Sequence, residues 1–210
     1  MLRTHFIPAA QRDSTRLMLM LHGLGDSITG YLWLPDAMRL PWMNYCLVNA
    51  PDEYYGGYAW FDFPGDMAPG VRRSRQLLFE LLDALRDQGF PTEQTTFGGF
   101  SQGSLMAVEV GCRYPHRFAG IVGISGYVCE PETLVRELSP VAKAQRFLLT
   151  HGTYDPLLPI AVTREQAKTL KAASLNIEWR EFQKEHTIAG EEELEVVRKF
   201  VQSGFAGESR

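Results

Sequence analysis

The stretch TTFGGFSQGSLMAVEVGCRY, residues 95–114, decides how this chain is read. Thr95 to Phe100 is a short, β-rich apolar run. Gln102 to Tyr114 is apolar nearly all round, the pattern of a buried helix. Between them Gly99-Phe100-Ser101-Gln102-Gly103 fits G-x-S-x-G, a turn that holds a serine in a strained strand-to-helix bend with its oxygen exposed. Small residues two before and two after the serine are needed because backbone packs closely there. The serine would also meet the positive end of the helix dipole, which favours developing negative charge. A plain βα turn with a capping serine is the alternative. The apolar strand before and the buried helix after supply the context that the motif requires.

The same alternation runs outward in both directions. Arg16–Leu21, Tyr45–Val48, Gly120–Ser125, Phe147–His151 and Asn176–Phe182 read as further strands. Leu77, Leu78, Leu81, Leu82 and Leu85 keep three-and-four spacing, and Gly89 then Pro91 end that helix. Val162–Ala173 and Glu191–Phe205 are two more helices, the last with Glu191, Glu192 and Glu193 in its first turn, as its dipole prefers. Continuous apolar strands alternating with helices predict an α/β fold: a mostly parallel central sheet covered on both faces. Ligands in such sheets bind outside the carboxyl ends of the strands.

Composition bounds the rest. A chain of 210 residues with no linker or repeat is expected to form one domain, 1–210. The net charge of −4 argues against nucleic acid as a partner, and Arg72, Arg73 and Arg75 read as a solvated helix face. The longest apolar runs, such as Leu17–Leu21, fall far short of the ~20 residues of a spanning helix. The N-terminus lacks the apolar core of a secretory signal. Cys46, Cys112 and Cys129 are odd in number, far apart and free of C-x-x-C pairing, so reduced, buried thiols in a cytoplasmic protein are expected.

A serine nucleophile needs a base, and the base an orienting acid. Of five histidines, His5 and His116 read as surface residues, and His22 and His151, each ending a strand before a glycine, as loop braces. His186 lies in the polar loop between the last strand and the last helix and is the expected base; a surface histidine is the alternative. Asp155, in HGTYDP after the preceding strand, is the expected acid, against the reading of a turn aspartate before proline. The order Ser101, Asp155, His186 is that of the α/β-hydrolase plan. Oxyanion donors are expected at the N–H of Gln102, directly after the nucleophile, and at Leu24 in the loop His22-Gly23-Leu24-Gly25-Asp26. That loop is no dinucleotide fingerprint, because the third glycine would fall on Ile28. The sequence has no phosphate loop and no H-E-x-x-H, and the chemistry calls for no cofactor and no metal.

HGLGD at 22–26, YAWFD at 58–62, GGFSQGS at 98–104, HGTYDPLLP at 151–159 and the late His186 together resemble the carboxylesterase and acyl-protein thioesterase family of α/β hydrolases, from about residue 16 to 200. The resemblance implies a serine hydrolase of carboxylic esters or thioesters, with lysophospholipids and acylated proteins among the family's substrates. It carries the catalytic roles to Ser101, Asp155 and His186, and the oxyanion donors to Leu24 and Gln102. One departure is Glu185, where the family usually has glycine before its histidine; pointing inward it would raise the imidazolium pKa, with Lys184 as an offset.

Six aromatics crowd residues 54–63. Phe61 and Phe63 read as core, whereas Trp60 and Tyr54, with Leu24 and Leu157, are expected to line an apolar acyl groove. Between the fourth and fifth of these strands only residues 126–146 intervene, too few for a separate cap domain. An open site suits substrates whose acyl or leaving group extends into solvent. The expected function is therefore ester hydrolysis through an acyl-enzyme on Ser101. The alternatives are acyl-protein thioesterase or lysophospholipase activity, a serine peptidase or lactonase, and a non-catalytic binding protein on the same scaffold.

Overall fold

A computed structural model describes residues 1–205; positions 206–210 of the expected 1–210 unit lie outside the described residues. Among the described residues nine strands form: β1 (Thr4–Ile7), β2 (Leu17–Leu21), β3 (Asn44–Val48), β4 (Asp52–Tyr54), β5 (Gly57–Ala59), β6 (Thr95–Phe100), β7 (Gly120–Ile124), β8 (Arg146–Gly152) and β9 (Asn176–Phe182). Six helices accompany them: α1 (Leu34–Met38), α2 (Ala68–Asp87), α3 (Gln102–Arg113), α4 (Pro131–Arg136), α5 (Ile160–Ala172) and α6 (Gly190–Ser203). Seven strands make the main sheet in the order β1-β3-β2-β6-β7-β8-β9, parallel throughout except β1 against β3.

The central strands are apolar without interruption because both of their faces are covered. Leu17, Leu19 and Leu21 of β2 enter the core beneath α2 and α3, while Met18 and Met20 enter the core beneath α1 and α6. Each fully buried leucine contributes roughly 1.5–3 kcal/mol. Helix α3 is buried nearly all round, as its sequence predicts, because it packs on β6 and β7 with α2 across it.

Several elements escaped the hydrophobic pattern, among them α1, β1 and a hairpin. β1 is a mostly exposed edge strand whose order comes from main-chain pairing, Thr4 opposite Val48, and not from buried side chains. The aromatic stretch contains the β4–β5 hairpin, turned by Tyr55 and Gly56 at φ 44° and 87°. Positive φ at both central residues is the twist that a two-residue hairpin needs.

Between β7 and β8 lie only α4 and a 3₁₀ turn, Ala142–Ala144, so the carboxyl ends of the strands stay uncovered by a cap. All three cysteines are buried and free; burial pushes the Cys46 thiol up to about 12. Among the described residues no helix is long and apolar enough to cross a membrane.

Candidate active site

Ser101 sits between β6 and α3 with φ 53° and ψ −117°, a conformation that costs an L-residue about 1–3 kcal/mol. Neighbouring backbone holds it there. The Ser101 N–H donates to the Ile124 carbonyl at 2.9 Å, and the Leu105 N–H donates to the Ser101 carbonyl at 3.1 Å. The flanking glycines are steric necessities: a Cβ on Gly99 would lie 2.1 Å from the Gly103 carbonyl oxygen, and one on Gly103 2.4 Å from that of Leu21.

The loops after β8 and β9 bring the other two expected residues to the same place. His186 Nε2 lies 2.8 Å from Ser101 Oγ, and His186 Nδ1 lies 2.7 Å from Asp155 Oδ2. The second Asp155 oxygen, Oδ1, accepts the N–H groups of Leu157 at 3.0 Å and Leu158 at 2.9 Å. Burial works against the Asp155 charge, but the hydrogen bonds from His186 and Leu158, the imidazolium charge and the Leu157 N–H outweigh it. They hold the carboxyl below the usual carboxylate range.

A line of three groups, O–H to imidazole to carboxylate, is therefore in place along hydrogen bonds. With Nδ1–H donated to Asp155, Nε2 is the free base facing the hydroxyl. Leu24 and Gln102 both line the hollow beside Ser101. Among the described residues neither main-chain N–H donates to a protein acceptor.

The loop braces expected at His22 and His151 act through their rings. His22 Nδ1–H donates to the Gly23 carbonyl at 2.6 Å, and Nε2 accepts the Ala50 N–H at 3.0 Å, which ties the 22–26 loop to the end of β3. His151 Nε2–H donates to the Leu158 carbonyl at 2.8 Å and stacks on Trp179. Burial holds both rings below the ordinary imidazole range.

The acyl-groove expectation needs correction at three residues. Trp60 is fully buried at 0% exposure. Its indole N–H donates to the His22 carbonyl at 2.9 Å, and its main-chain N–H donates to Gln102 Oε1 at 3.0 Å, so it lies beneath the loop and not in the groove. Tyr54 lies against Gly25 and does not line the hollow. Phe63, expected in the core, is 50% exposed and does line it. Leu157, as expected, is a lining residue. The hollow measures about 350 Å³, its apolar wall made by Leu24, Phe63, Phe100, Tyr127, Leu157 and Leu158.

Sequence patterns also missed what holds His186. Glu185 is exposed, whereas Lys184 is buried and grips both carboxylate oxygens of Glu193 in α6 at 2.6 and 2.7 Å. Glu193 Oε2 in turn accepts the Ala189 N–H at 2.7 Å. Ser125, buried with φ 49°, points its hydroxyl at the Thr187 carbonyl, 3.4 Å away. A basic residue beside an expected base, with a glutamate nine positions on at a helix start, is too common a pattern to signal this clamp.

Known proteins resemble the chain over this whole arrangement. The description of the Phospholipase/Carboxylesterase family matches residues 2–204. Acyl-protein thioesterase 1 of Schizosaccharomyces pombe is 34% identical over 74% of this chain and 75% of its own length. Its Saccharomyces cerevisiae counterpart is 27% identical over 95% of this chain and 97% of its own. Among solved structures, esterase PE8 superposes with a TM-score of 0.87 at 27% identity, covering 96% of this chain and 98% of that one. Zea mays acyl-protein thioesterase 2, at 24% identity, shares the fold with a TM-score of 0.80 over 96% and 98% of the two chains. With its parallel sheet, its serine turn and the family match across nearly all of its length, the chain belongs to the phospholipase/carboxylesterase family of α/β hydrolases.

Proposed function

We propose that this protein hydrolyses carboxylic esters, thioesters included, by two acyl transfers through Ser101. The observation that carries the reading is the Ser101–His186–Asp155 chain of hydrogen bonds, 2.8 and 2.7 Å long, at the carboxyl end of the sheet. His186 takes the Ser101 proton as the oxygen attacks the carbonyl carbon, and Asp155 holds the imidazole in the tautomer that can do so. The oxyanion is received by the Leu24 and Gln102 amides at the positive end of α3. The leaving group takes the proton from His186. Water then repeats the sequence on the acyl-enzyme and releases the acid. The acyl chain occupies the apolar hollow and can run past Leu157, 69% exposed, into solvent.

Among ester hydrolases, the relatives' names favour an acylated-protein thioesterase, and the uncapped groove is compatible with that or with a lysophospholipid. Three unpaired, buried thiols suit a reducing compartment such as the cytoplasm. One domain would hold the whole site.

Ser101→Ala is expected to lower kcat by roughly 10³–10⁶-fold with the fold intact, measured on p-nitrophenyl esters of two to sixteen carbons. Wild-type turnover retained by that variant would remove Ser101 from the reaction. The same panel, extended to acyl-CoA, a palmitoylated peptide and a lysophospholipid, ranks the substrate classes.

A further inference from the structure

A second hollow, of about 450 Å³, also reaches His186. Tyr31, Trp33, Thr187, Ile188, Gly190 and Leu194 line it, and it shares Asp26, Phe100 and His186 with the apolar hollow beside Ser101. The two meet at the residue that must hand a proton to the departing atom, and their walls differ in kind. The first is aliphatic and aromatic. The second adds Trp33 and Tyr31, with the Asp26 carboxylate standing on the boundary between the two.

Both groups are fixed. The Asp26 carboxylate lies directly over Gly30: a Cβ there would fall 2.2 Å from Oδ1. Oδ1 also accepts the Ser27 N–H at 2.7 Å. Among the described residues Asp26 takes part in no ion pair. Trp33, 39% exposed, donates its indole N–H to the Gly30 carbonyl at 2.6 Å and stacks on Tyr31 with ring centroids 6.3 Å apart. An unpaired carboxylate and an anchored aromatic ring lining one hollow attract a cation by Coulomb and quadrupole interactions together.

We propose that this second hollow receives the leaving group, and that Asp26 and Trp33 select leaving groups carrying a positive charge, ammonium or guanidinium, close to the scissile bond. The inference rests on the acyl-transfer reading of Ser101. In the first transfer the acyl C–O or C–S bond breaks, its electron pair stays with the departing oxygen or sulfur, and that atom takes the proton that His186 drew from Ser101. His186 lines both hollows, so the departing atom leaves toward Asp26 while the acyl group stays on Ser101.

The test compares kcat/KM for S-butyrylthiocholine with that for its neutral isostere, S-(3,3-dimethylbutyl) thiobutyrate. Acyl group and shape are the same; only the charge differs. The wild type should prefer the cation. Asp26→Asn, which keeps an acceptor for the Ser27 N–H, should lower the cation-to-neutral ratio by about five- to tenfold, and Trp33→Leu by less. A ratio near one in the wild type, or a ratio that neither variant moves, overturns the proposal. A second measurement is independent of thioester turnover. Choline should inhibit p-nitrophenyl butyrate hydrolysis more strongly than 3,3-dimethylbutan-1-ol does, and should lose that advantage in Asp26→Asn; equal inhibition by the two alcohols overturns the proposal. An enzyme that labels with a fluorophosphonate at Ser101 yet ignores charge defeats this inference alone. An enzyme that neither labels nor turns over any ester defeats the acyl-transfer reading beneath it.

Discussion

The turn that carries Ser101 and the loop that carries His186 are held by opposite means. At Ser101 the constraint is main chain against main chain: Gly99 beneath Gly103, Gly103 against the Leu21 carbonyl of the neighbouring strand, and the Ser101 N–H on the Ile124 carbonyl. At His186 the constraint is side chains arriving from elsewhere, Glu193 onto Lys184, Asp155 onto the imidazole and Ser125 onto Thr187. The first arrangement has one solution and no freedom. The second is a set of separate side-chain ties. A nucleophile must be exposed at a fixed point, whereas a base that serves two transfers has to face first the serine and then a water. The scaffold matches rigidity to the first demand and tethering to the second.

Beyond the loss expected of Ser101→Ala, the largest effect should come from cutting the tether at its charged link. Lys184 and Glu193 are a buried pair, their side chains 3% and 0% exposed. Burial pulls the Lys184 ammonium below its ordinary range, and the Glu193 and Asp155 carboxylates oppose that pull. Lys184→Met strands the Glu193 charge and should cost about 3–5 kcal/mol, read as a drop of roughly 10 °C in Tm. Adding Glu193→Gln removes the stranded charge and still accepts the Ala189 N–H, so most of the Tm should return. If the pair positions His186, kcat stays low in the double variant with KM little changed. Return of kcat along with Tm would mean that the pair stabilises without positioning.

The same contrast explains what the sequence made legible. The serine turn was readable because the residue types that its geometry demands all lie between 99 and 103, although the backbone they pack against comes from β2 and β7. The parallel sheet was readable because β2, β3, β6 and β7 are buried on both faces and so carry unbroken apolar runs. Asp155 and His186 were found by chain order after successive strands, which the topology preserves. Trp60 was misplaced because an indole satisfied by a buried carbonyl and one facing a ligand look alike in sequence, and Phe63 was misplaced for the converse reason. The Lys184–Glu193 clamp and the Asp26–Trp33 pair span nine and seven positions of mostly irregular chain, and β1 is ordered by pairing with the distant β3, none of which a periodic pattern encodes.

A smaller effect is expected from acid, and it should fall on the buried groups that brace the loops around Ser101 and His186. His22 is kept neutral by burial, against the Gly23 carbonyl and the Asp26 charge, which both favour the proton. His151 is likewise kept neutral by burial. Unfolded, both titrate near ~6.5, so below that pH the unfolded chain binds protons that the folded chain refuses, and stability falls as pH drops toward the lower folded-state values. Asp155, held below the usual carboxylate range, extends the same trend to lower pH: its contribution is present above about 4 and is lost as pH falls further. Tm measured from pH 7.5 to 5 should decline, and His22→Asn should make the decline shallower. A Tm independent of pH across that range would mean that the 22–26 loop is not braced by a neutral imidazole.

The smallest effect should come from Glu185, although it stands beside His186 and departs from the glycine that the family resemblance leads one to expect. Glycine would be required there if the backbone were left-handed. Glu185 is absent from the residues with positive φ, and its carbonyl accepts the Thr187 N–H at 2.9 Å in an ordinary turn. Its side chain is exposed, and in water a carboxylate at the surface couples to its neighbours by well under 1 kcal/mol. Glu185→Gly should therefore change kcat/KM by less than about twofold and leave the pH–rate profile in place. Its main consequence should be a Tm a few degrees lower, since glycine adds freedom to the unfolded chain worth ~0.4–1 kcal/mol. A displaced acid limb in the Glu185→Gly profile would mean that the carboxylate swings inward during turnover. The tether on His186 would then include an electrostatic link that the resting geometry does not contain.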